Sequence, residues 1–524
     1  MLRTDLIAPI PDLLAGHAEA RPSRIAFVDD ARAITYRELV HTTAQLAGNL
    51  QDLGVGIGDR VLLYLDNCVE VAEAYLAVPR AGGIAVCVNP QSAHVEVSYC
   101  LADSGAKVVI TDRAHLSSVR DMVSQQGDAI KVIVVGDVDV DEEASEHSYA
   151  ALVSSSGSAP RDCLALDETA WMLYTSGTTG RPKGVYLTQR GCLWVVAACW
   201  APIVGLSEDD VMLVPLPLFH SYALDLCVLG VAAVGASARI LPKFSVTDTA
   251  ERFTGGPEGD VTVFPGVPTM FHYLLDRRRE EGLNAPALRL CITAGAIMTA
   301  SLNGAFERAF GVPLLDGYGI TETSTMVTMN WSTGVRVPGS CGLPLPGLTV
   351  RLVDPATGRD VLQGEEGEVW VQGPNVTPGY HNLPEASAAV LVDGWYRTGD
   401  LARRDESGYL TISGRTKELI IRGGENIYPA EVEDALLTIE AIQDAAVVGV
   451  AHDQLGEVPV AFVVPRDGAP LDHDGVLAQV RTQLTYFKVP ERLVEIDTIP
   501  RTGSGKILRF RLQQLLEEGA HANG

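Results

Sequence analysis

The chain has 524 residues, 47% of them hydrophobic, enough for a large core and more than one domain. Its 66 acidic residues outnumber 40 basic ones, and the net charge of −26 excludes general nucleic-acid binding and disfavours an anionic membrane surface as partner. Nine scattered cysteines without a C-x-x-C pair argue against a disulfide frame or zinc site, and predict reduced thiols in a cytoplasmic chain.

Met1-Leu2-Arg3-Thr4-Asp5 has an early acid and no long apolar core, so no signal peptide is expected. Residues 24–29 read as a strand. Thr35-Tyr36-Arg37-Glu38 is a capping box, in which Thr35 and Glu38 satisfy each other's free N–H groups. Leu39, Leu46, Leu50 and Leu53 then recur at helical spacing, and Gly54 ends the helix. A buried strand at 61–65, a helix at 69–78 and a strand at 84–88 follow, with further strands at 107–111 and 131–135. Strands alternating with helices imply parallel sheets covered on both faces. The acidic run 137–146 and the small, polar run 154–160 both read as exposed connection.

Thr169-Ala170-Trp171-Met172-Leu173 reads as a buried strand, and it leads into Tyr174-Thr175-Ser176-Gly177-Thr178-Thr179-Gly180-Arg181-Pro182-Lys183-Gly184-Val185. The glycines let the backbone turn tightly and bring N–H groups to an anion. The hydroxyls of Thr175, Ser176, Thr178 and Thr179 are neutral donors for phosphate oxygens, and Lys183 adds a mobile positive charge. Together they suit a nucleotide triphosphate. The spacing is not that of a Walker loop, and no Ser or Thr follows the lysine.

The most apolar stretch, 192–206, is interrupted by Pro202 and short of the about 20 residues of a membrane span, so it reads as a buried helix, with the helix itself at 191–200. A strand at 211–214 precedes Pro215-Leu216-Pro217-Leu218-Phe219-His220-Ser221-Tyr222-Ala223-Leu224-Asp225-Leu226, an extended lead-in and a helix start. Further strands fall near 238–241, 261–264 and 289–293. Residues 348–353 and 367–372 alternate like antiparallel strands of a small β subdomain. From about Gly414 charged residues and short strands alternate, with helices near 429–438 and 474–485. The expected division is a large α/β domain over 1–413, with two parallel-type sheets and the β subdomain, and a small mobile α+β domain over 414–524.

Two further constellations have chemistry of their own. Asp316-Gly317-Tyr318-Gly319-Ile320-Thr321-Glu322-Thr323 follows a strand end, where α/β sheets bind ligands. Its glycines allow close approach, Tyr318 offers a face for adenine, Thr321 can donate to a phosphate, and Glu322 can hold Mg²⁺, a hard ion that prefers oxygen. Near the C-terminus, Gly503-Ser504-Gly505 is a flexible loop that presents Lys506. A cation there can bridge a carboxylate and the phosphate it attacks.

The string from Thr175 to Lys183 resembles the signature loop of the adenylate-forming superfamily, which joins a carboxylate to AMP and passes the acyl group to a thiol. The Asp316–Thr323 string is similar to its Tyr-Gly-x-Thr-Glu motif, and the likeness runs in order along nearly the whole chain. It implies ATP and Mg²⁺ as cofactors, with Thr178 and Glu322 on the metal. It implies that Ala294-Gly295-Ala296 lies along adenine, that Asp400 in Trp395-Tyr396-Arg397-Thr398-Gly399-Asp400 accepts from the ribose hydroxyls, and that Arg415 is a second ribose contact. Lys506 matches the adenylation lysine, Lys417 the hinge, and Gly423 and Gly424 the tunnel for a phosphopantetheine thiol. The small domain would swing about Lys417, withdrawing Lys506 and opening the thiol path. Gln189 departs from the family, which often has His there.

The same alignment places His220 beside the substrate carboxylate and gives Ser221, Tyr222, Asp225, Ala294, Gly317, Thr325 and Met326 as the acyl pocket. Positions 221 and 225 are expected on one helix face. Asp225, set in an apolar run, is either a satisfied structural acid or awaits a substrate ammonium, since a buried unpaired carboxylate is costly. The pattern is similar to stand-alone β-amino-acid adenylating enzymes of macrolactam pathways, which load an acyl carrier protein. The alternative is a fatty- or aryl-acid CoA ligase, and outside enzymes a non-catalytic nucleotide- or carrier-binding protein.

Overall fold

The computed structural model describes residues 2–126, 130–138, 140–141, 145–175, 181–423, 425–466, 471–501 and 507–522, with backbone alone at 517–522. Short β-branched runs alternating with helical spacing produce two large sheets. The first has seven strands, in the order Glu146–Ser148, Lys131–Val135, Val108–Asp112, Arg60–Tyr64, Ile84–Cys87, Thr169–Thr175 and Lys183–Thr188. All neighbours are parallel except the last pair, an antiparallel hairpin in which Thr175 faces Lys183. The second has nine strands, with a parallel centre (Ile25–Val28, Ser237–Ile240, Val211–Val214, Val263–Gly266, Leu290–Thr293, Leu314–Tyr318) and antiparallel edges.

One apolar core joins the two sheets, with Leu63 and Trp171 of the first packed in the same cluster as Met212 and Ile292 of the second. The helix Val69–Arg80 is buried on every side, Glu70 apart. That explains its apolar circumference: each fully buried Leu or Val contributes roughly 1.5–3 kcal/mol. Its two buried charges are paired, Glu73 with Arg32 and Arg80 with Asp162 at 2.9 Å. The capping box is present, with the Thr35 N–H donating to Glu38 Oε2 at 2.8 Å.

Thr349–Val353, Glu366–Gln372, Trp395–Arg404 and Leu410–Arg415 form the β subdomain, all antiparallel. Beyond the turn at 416–419, a smaller α+β domain begins with Ile420–Arg422. Its sheet adds Glu425–Ile427, Gly456–Pro465, Ile442–His452 and Arg492–Glu495, with Pro429–Leu437 and His473–Gln483 packed around a core of Val447, Ala461 and Val480. Among the described residues no helix is long and apolar enough to cross a membrane.

Two expectations need correction. The acidic connection does not stay exposed to its end: Glu146 is buried, starts an edge strand and is ion-paired with Arg120 at 2.6 Å. The helix expected at 191–200 is an α-helix only over Gln189–Val195; Val196–Val204 is a π-helix, closed by the Gly205 N–H bonding back to the Trp200 carbonyl. A second π-helix, Ala223–Gly230, packs against it. Hydrophobic periodicity could not show this, because both segments are apolar all round and carry no phase.

Candidate active site

Parallel strands end at one edge of the sheet, and the loops that follow Leu290–Thr293 and Leu314–Tyr318 leave it side by side, where sheets of this kind bind ligands. Ala294 is buried at the first strand's end, Gly295 turns with φ +86°, and Ala296 is exposed. In the second loop close packing dictates glycine. A Cβ at Gly319 would lie 1.4 Å from the Thr325 carbonyl oxygen, and one at Gly317 would meet the Met326 and Met329 methyls at 2.5 and 2.7 Å. Thr325 itself has φ +93°, a strained conformation for a β-branched residue. Asn375 braces that turn, its Nδ2 donating to the carbonyls of Thr323 and Met326 at 2.9 and 2.8 Å. Asp316 is buried and held well above the usual carboxylate range by desolvation.

Strand register sets Asp400 opposite Arg415, and Asp400 Oδ1 is 2.7 Å from Arg415 Nε. Oδ2 accepts from the Tyr318 hydroxyl at 2.6 Å. Each oxygen keeps a second acceptor position, so the carboxylate can still take two hydroxyl donors. Asp400 in turn raises the Arg415 guanidinium.

Glu322 lies on a short 3₁₀ turn, Thr321–Thr323. Its Oε1 accepts from the Tyr380 hydroxyl at 3.0 Å, and Tyr380 is 3.1 Å from the Tyr396 hydroxyl. Lys183 Nζ lies 5.1 Å from the centroid of the Tyr380 ring. The donor set suits Mg²⁺ held partly by substrate, because that ion takes one or two carboxylates plus phosphate oxygens. Among the described residues no cluster of three or more His, Cys, Asp or Glu could hold a metal by itself. Ser176, Gly177, Thr178, Thr179, Gly180, Gly424 and Lys506 lie outside the described residues. Lys417 sits in the exposed turn between the last β-subdomain strand and the small domain. Gly423 turns with φ +59° and donates its N–H to the Leu455 carbonyl at 2.6 Å.

The Ser221 hydroxyl is 3.3 Å from that of Thr321, which places the segment after His220 against the Thr-Glu turn. His220 Nδ1 accepts the Tyr222 N–H at 3.3 Å, leaving Nε2 to carry the proton, and burial pushes the imidazole down to about 4, so it is neutral near pH 7. The Tyr222 hydroxyl is committed to the Ile292 carbonyl at 3.1 Å, and its ring lies 6.2 Å from that of Trp200. Asp225 is 1% exposed; its Oδ1 accepts from Trp200 Nε1 at 2.6 Å, whereas Oδ2 is buried with no hydrogen-bond partner. The neighbouring Cys192 thiol is a donor too weak to satisfy it, and desolvation drives the carboxyl well above its ordinary range. Ser221 and Asp225 are both buried, Ser221 just before the π-helix Ala223–Gly230 and Asp225 within it. Tyr380, Tyr396, Asn375 and Trp200 escaped the sequence reading as site residues; Trp200 and Tyr380 offered no local motif, and Tyr396 sat unremarked inside one.

Comparison with known proteins agrees with this geometry. Residues 14–381 match the model of the AMP-binding enzyme family, and 431–506 that of the AMP-binding enzyme C-terminal domain. A naringenin synthase of Pestalotiopsis fici is 36% identical over 96% of this chain, although the chain spans only 19% of that relative's length. A feruloyl-CoA synthase of Amycolatopsis sp is 36% identical, covering 95% of this chain and 97% of the relative. The structure of the anthranilate CoA ligase AuaEII in complex with anthranoyl-AMP superposes with a TM-score of 0.91 at 25% identity, over 99% of this chain and 100% of that one. With both family models matched in order, the chain belongs to the AMP-binding enzymes.

Proposed function

We propose that the protein is an AMP-forming acid–thiol ligase working in two half-reactions. In the first, a carboxylate oxygen attacks the α-phosphorus of ATP, the bond to the β-phosphate breaks, and pyrophosphate leaves an acyl-AMP. In the second, a thiol attacks the acyl carbon and AMP departs. Lys183 and the loop before it hold the phosphates, Thr321 donates to the α-phosphate, and Asp400 with Arg415 takes the ribose. His220, neutral and with a proton on Nε2, donates to the substrate carboxyl. Mg²⁺, when bound at Glu322 and Thr178, neutralises phosphate charge. Lys506 bridges carboxylate and phosphate in the first step. The small domain then turns about Lys417, the boundary falling at 413/414, and brings Gly423 and Gly424 beside the acyl group as the path for the thiol.

The acid is a β-amino acid and the acceptor the phosphopantetheine thiol of an acyl carrier protein. One observation carries the choice of acid: Asp225 Oδ2, buried with no partner, one helical turn beyond the segment that touches Thr321. A substrate ammonium is the group that would satisfy it. A second reading, a CoA ligase for an aryl or fatty acid, is favoured by the relatives' names and by the Trp200 bond that already stabilises Asp225. The anthranilate of the structural neighbour stands between the two, an aryl acid with its amine on the β carbon. ATP–pyrophosphate exchange with 3-amino acids against their des-amino analogues decides the acid, and transfer to carrier protein against CoA decides the acceptor. Equal exchange with and without the amine removes the β-amino reading.

A further inference from the structure

Lys183 starts a strand and Glu322 lies on a 3₁₀ turn; they carry opposite charges, yet neither has an ion-pair partner among the described residues. Both touch Tyr380. Lys183 Nζ lies over the ring face, 5.1 Å from its centroid, and the hydroxyl donates to Glu322 Oε1 at 3.0 Å. The position of Tyr380 is itself fixed from the backbone. Val185 and Tyr380 form an antiparallel bridge, the Tyr186 N–H donates to the Gly379 carbonyl at 3.1 Å, and the His381 N–H to the Gly184 carbonyl at 2.7 Å. Residues 379–381 therefore run as an extra strand beside the one that begins at Lys183. On the other side, the Thr377 N–H donates to the Glu322 carbonyl at 2.8 Å. The hydroxyl has a direction too. With Tyr380 donating to Glu322, Tyr396 must donate to Tyr380, at 3.1 Å. Tyr396 is buried and anchored in the β subdomain, 3% exposed.

We infer that Tyr380 is a positioning residue for nucleotide and metal: it gives Lys183 a π face in place of the carboxylate and pins one oxygen of Glu322, so that the other oxygen and the ammonium both remain available to the same phosphates. A direct Lys183–Glu322 pair would neutralise the two groups that the triphosphate and its metal need. The inference rests on the reading of Glu322 as a metal ligand given above.

The test is Mn²⁺ binding to the full chain with a non-hydrolysable ATP analogue, followed by loss of the free-ion EPR signal, together with the Mg²⁺ dependence of pyrophosphate exchange. Tyr380→Phe keeps the ring and removes the donor. It should weaken Mn²⁺ binding and raise the Mg²⁺ half-saturation by roughly ten-fold, while the KM for ATP at saturating Mg²⁺ stays near wild type. Tyr380→Leu removes the π face as well and should raise that KM too. Tyr396→Phe should shift Mn²⁺ binding in the same direction but less. A purely structural tyrosine would lower the melting temperature and leave the metal response unmoved. Glu322→Gln separates the two ways of failing. If that variant binds Mn²⁺ weakly and Tyr380→Phe binds it as wild type does, the role of Tyr380 is overturned alone. If Glu322→Gln also binds Mn²⁺ normally, the metal reading falls and takes this inference with it.

Discussion

Replacing Asp225 by asparagine makes a pH-dependent stability difference whose sign follows from the buried carboxyl. In the unfolded chain this group ionises near its ordinary value of about 3.9, whereas desolvation keeps the folded group protonated to higher pH. The folded state therefore binds more protons, and this carboxyl's contribution to wild-type stability falls as pH rises above about 4, by about 1.4 kcal/mol per pH unit until the folded carboxyl ionises. Asparagine carries no such dependence. Its Oδ1 can still accept from Trp200 Nε1, but its amide sets N–H donors where Oδ2 has no partner, a constant cost of about 1–2 kcal/mol. The two stabilities should cross near pH 5 and diverge above it, with Asp225→Asn the more stable. Urea midpoints followed by tryptophan fluorescence between pH 4.5 and 8 give the difference directly. A substrate ammonium should reverse the ranking by stabilising the ionised wild-type carboxylate. Asp225→Asn should then lose the kcat/KM preference for a 3-amino acid over its des-amino analogue by roughly 10–100-fold. A difference in midpoint that ignores pH would refute the buried-proton argument. An amine preference that survives the substitution would refute the substrate assignment.

Lys506→Ala should abolish pyrophosphate exchange yet spare thioester formation from supplied acyl-AMP; equal loss of both half-reactions would reject the two-state lid. Gly319→Ala drives a Cβ into the Thr325 carbonyl, so exchange should fall at least about 100-fold with a lower melting temperature, whereas Gly317→Ala, facing movable methionine methyls, should be milder. Because His220 is pushed down to about 4, its imidazole resonance should titrate far below 6.5. The unfolded chain takes that proton first, so the imidazole's contribution to stability should fall by about 1.4 kcal/mol per unit as pH drops from about 6.5 toward 4, and a titration midpoint near 6.5 would contradict this burial.

The sequence was informative wherever a physical rule is local. The capping box of Thr35 and Glu38, the apolar runs that became parallel strands, and the alternation at Thr349–Val353 and Glu366–Gln372 are each decided within a few residues. Gly317 and Gly319 could be flagged as close-approach glycines, but what approaches them, Met326 and the Thr325 carbonyl, depends on how the turn folds back. Glu146 departs from the expectation because a strand of three residues in an acidic run shows no pattern; Arg120, from a neighbouring helix, and the Asp141 N–H make its burial tolerable. Tyr380 was invisible for a different reason. It acts through a backbone bridge to Val185, a contact between positions 195 residues apart, and no spacing encodes it.

The two abutting π-helices make the surroundings of Asp225 unusually sensitive to the length of the chain. A π turn contains one more residue than the α turn it replaces, and each residue advances a helix by about 100°. Deleting one position between Val196 and Val204 would let that stretch relax to ordinary winding with the residues beyond it kept in phase, whereas one added residue would rotate them by about 100°. An insertion ahead of Trp200 would therefore turn its indole away from Asp225. Relatives that carry a single-residue insertion here should therefore recognise different acids even where every lining side chain is the same.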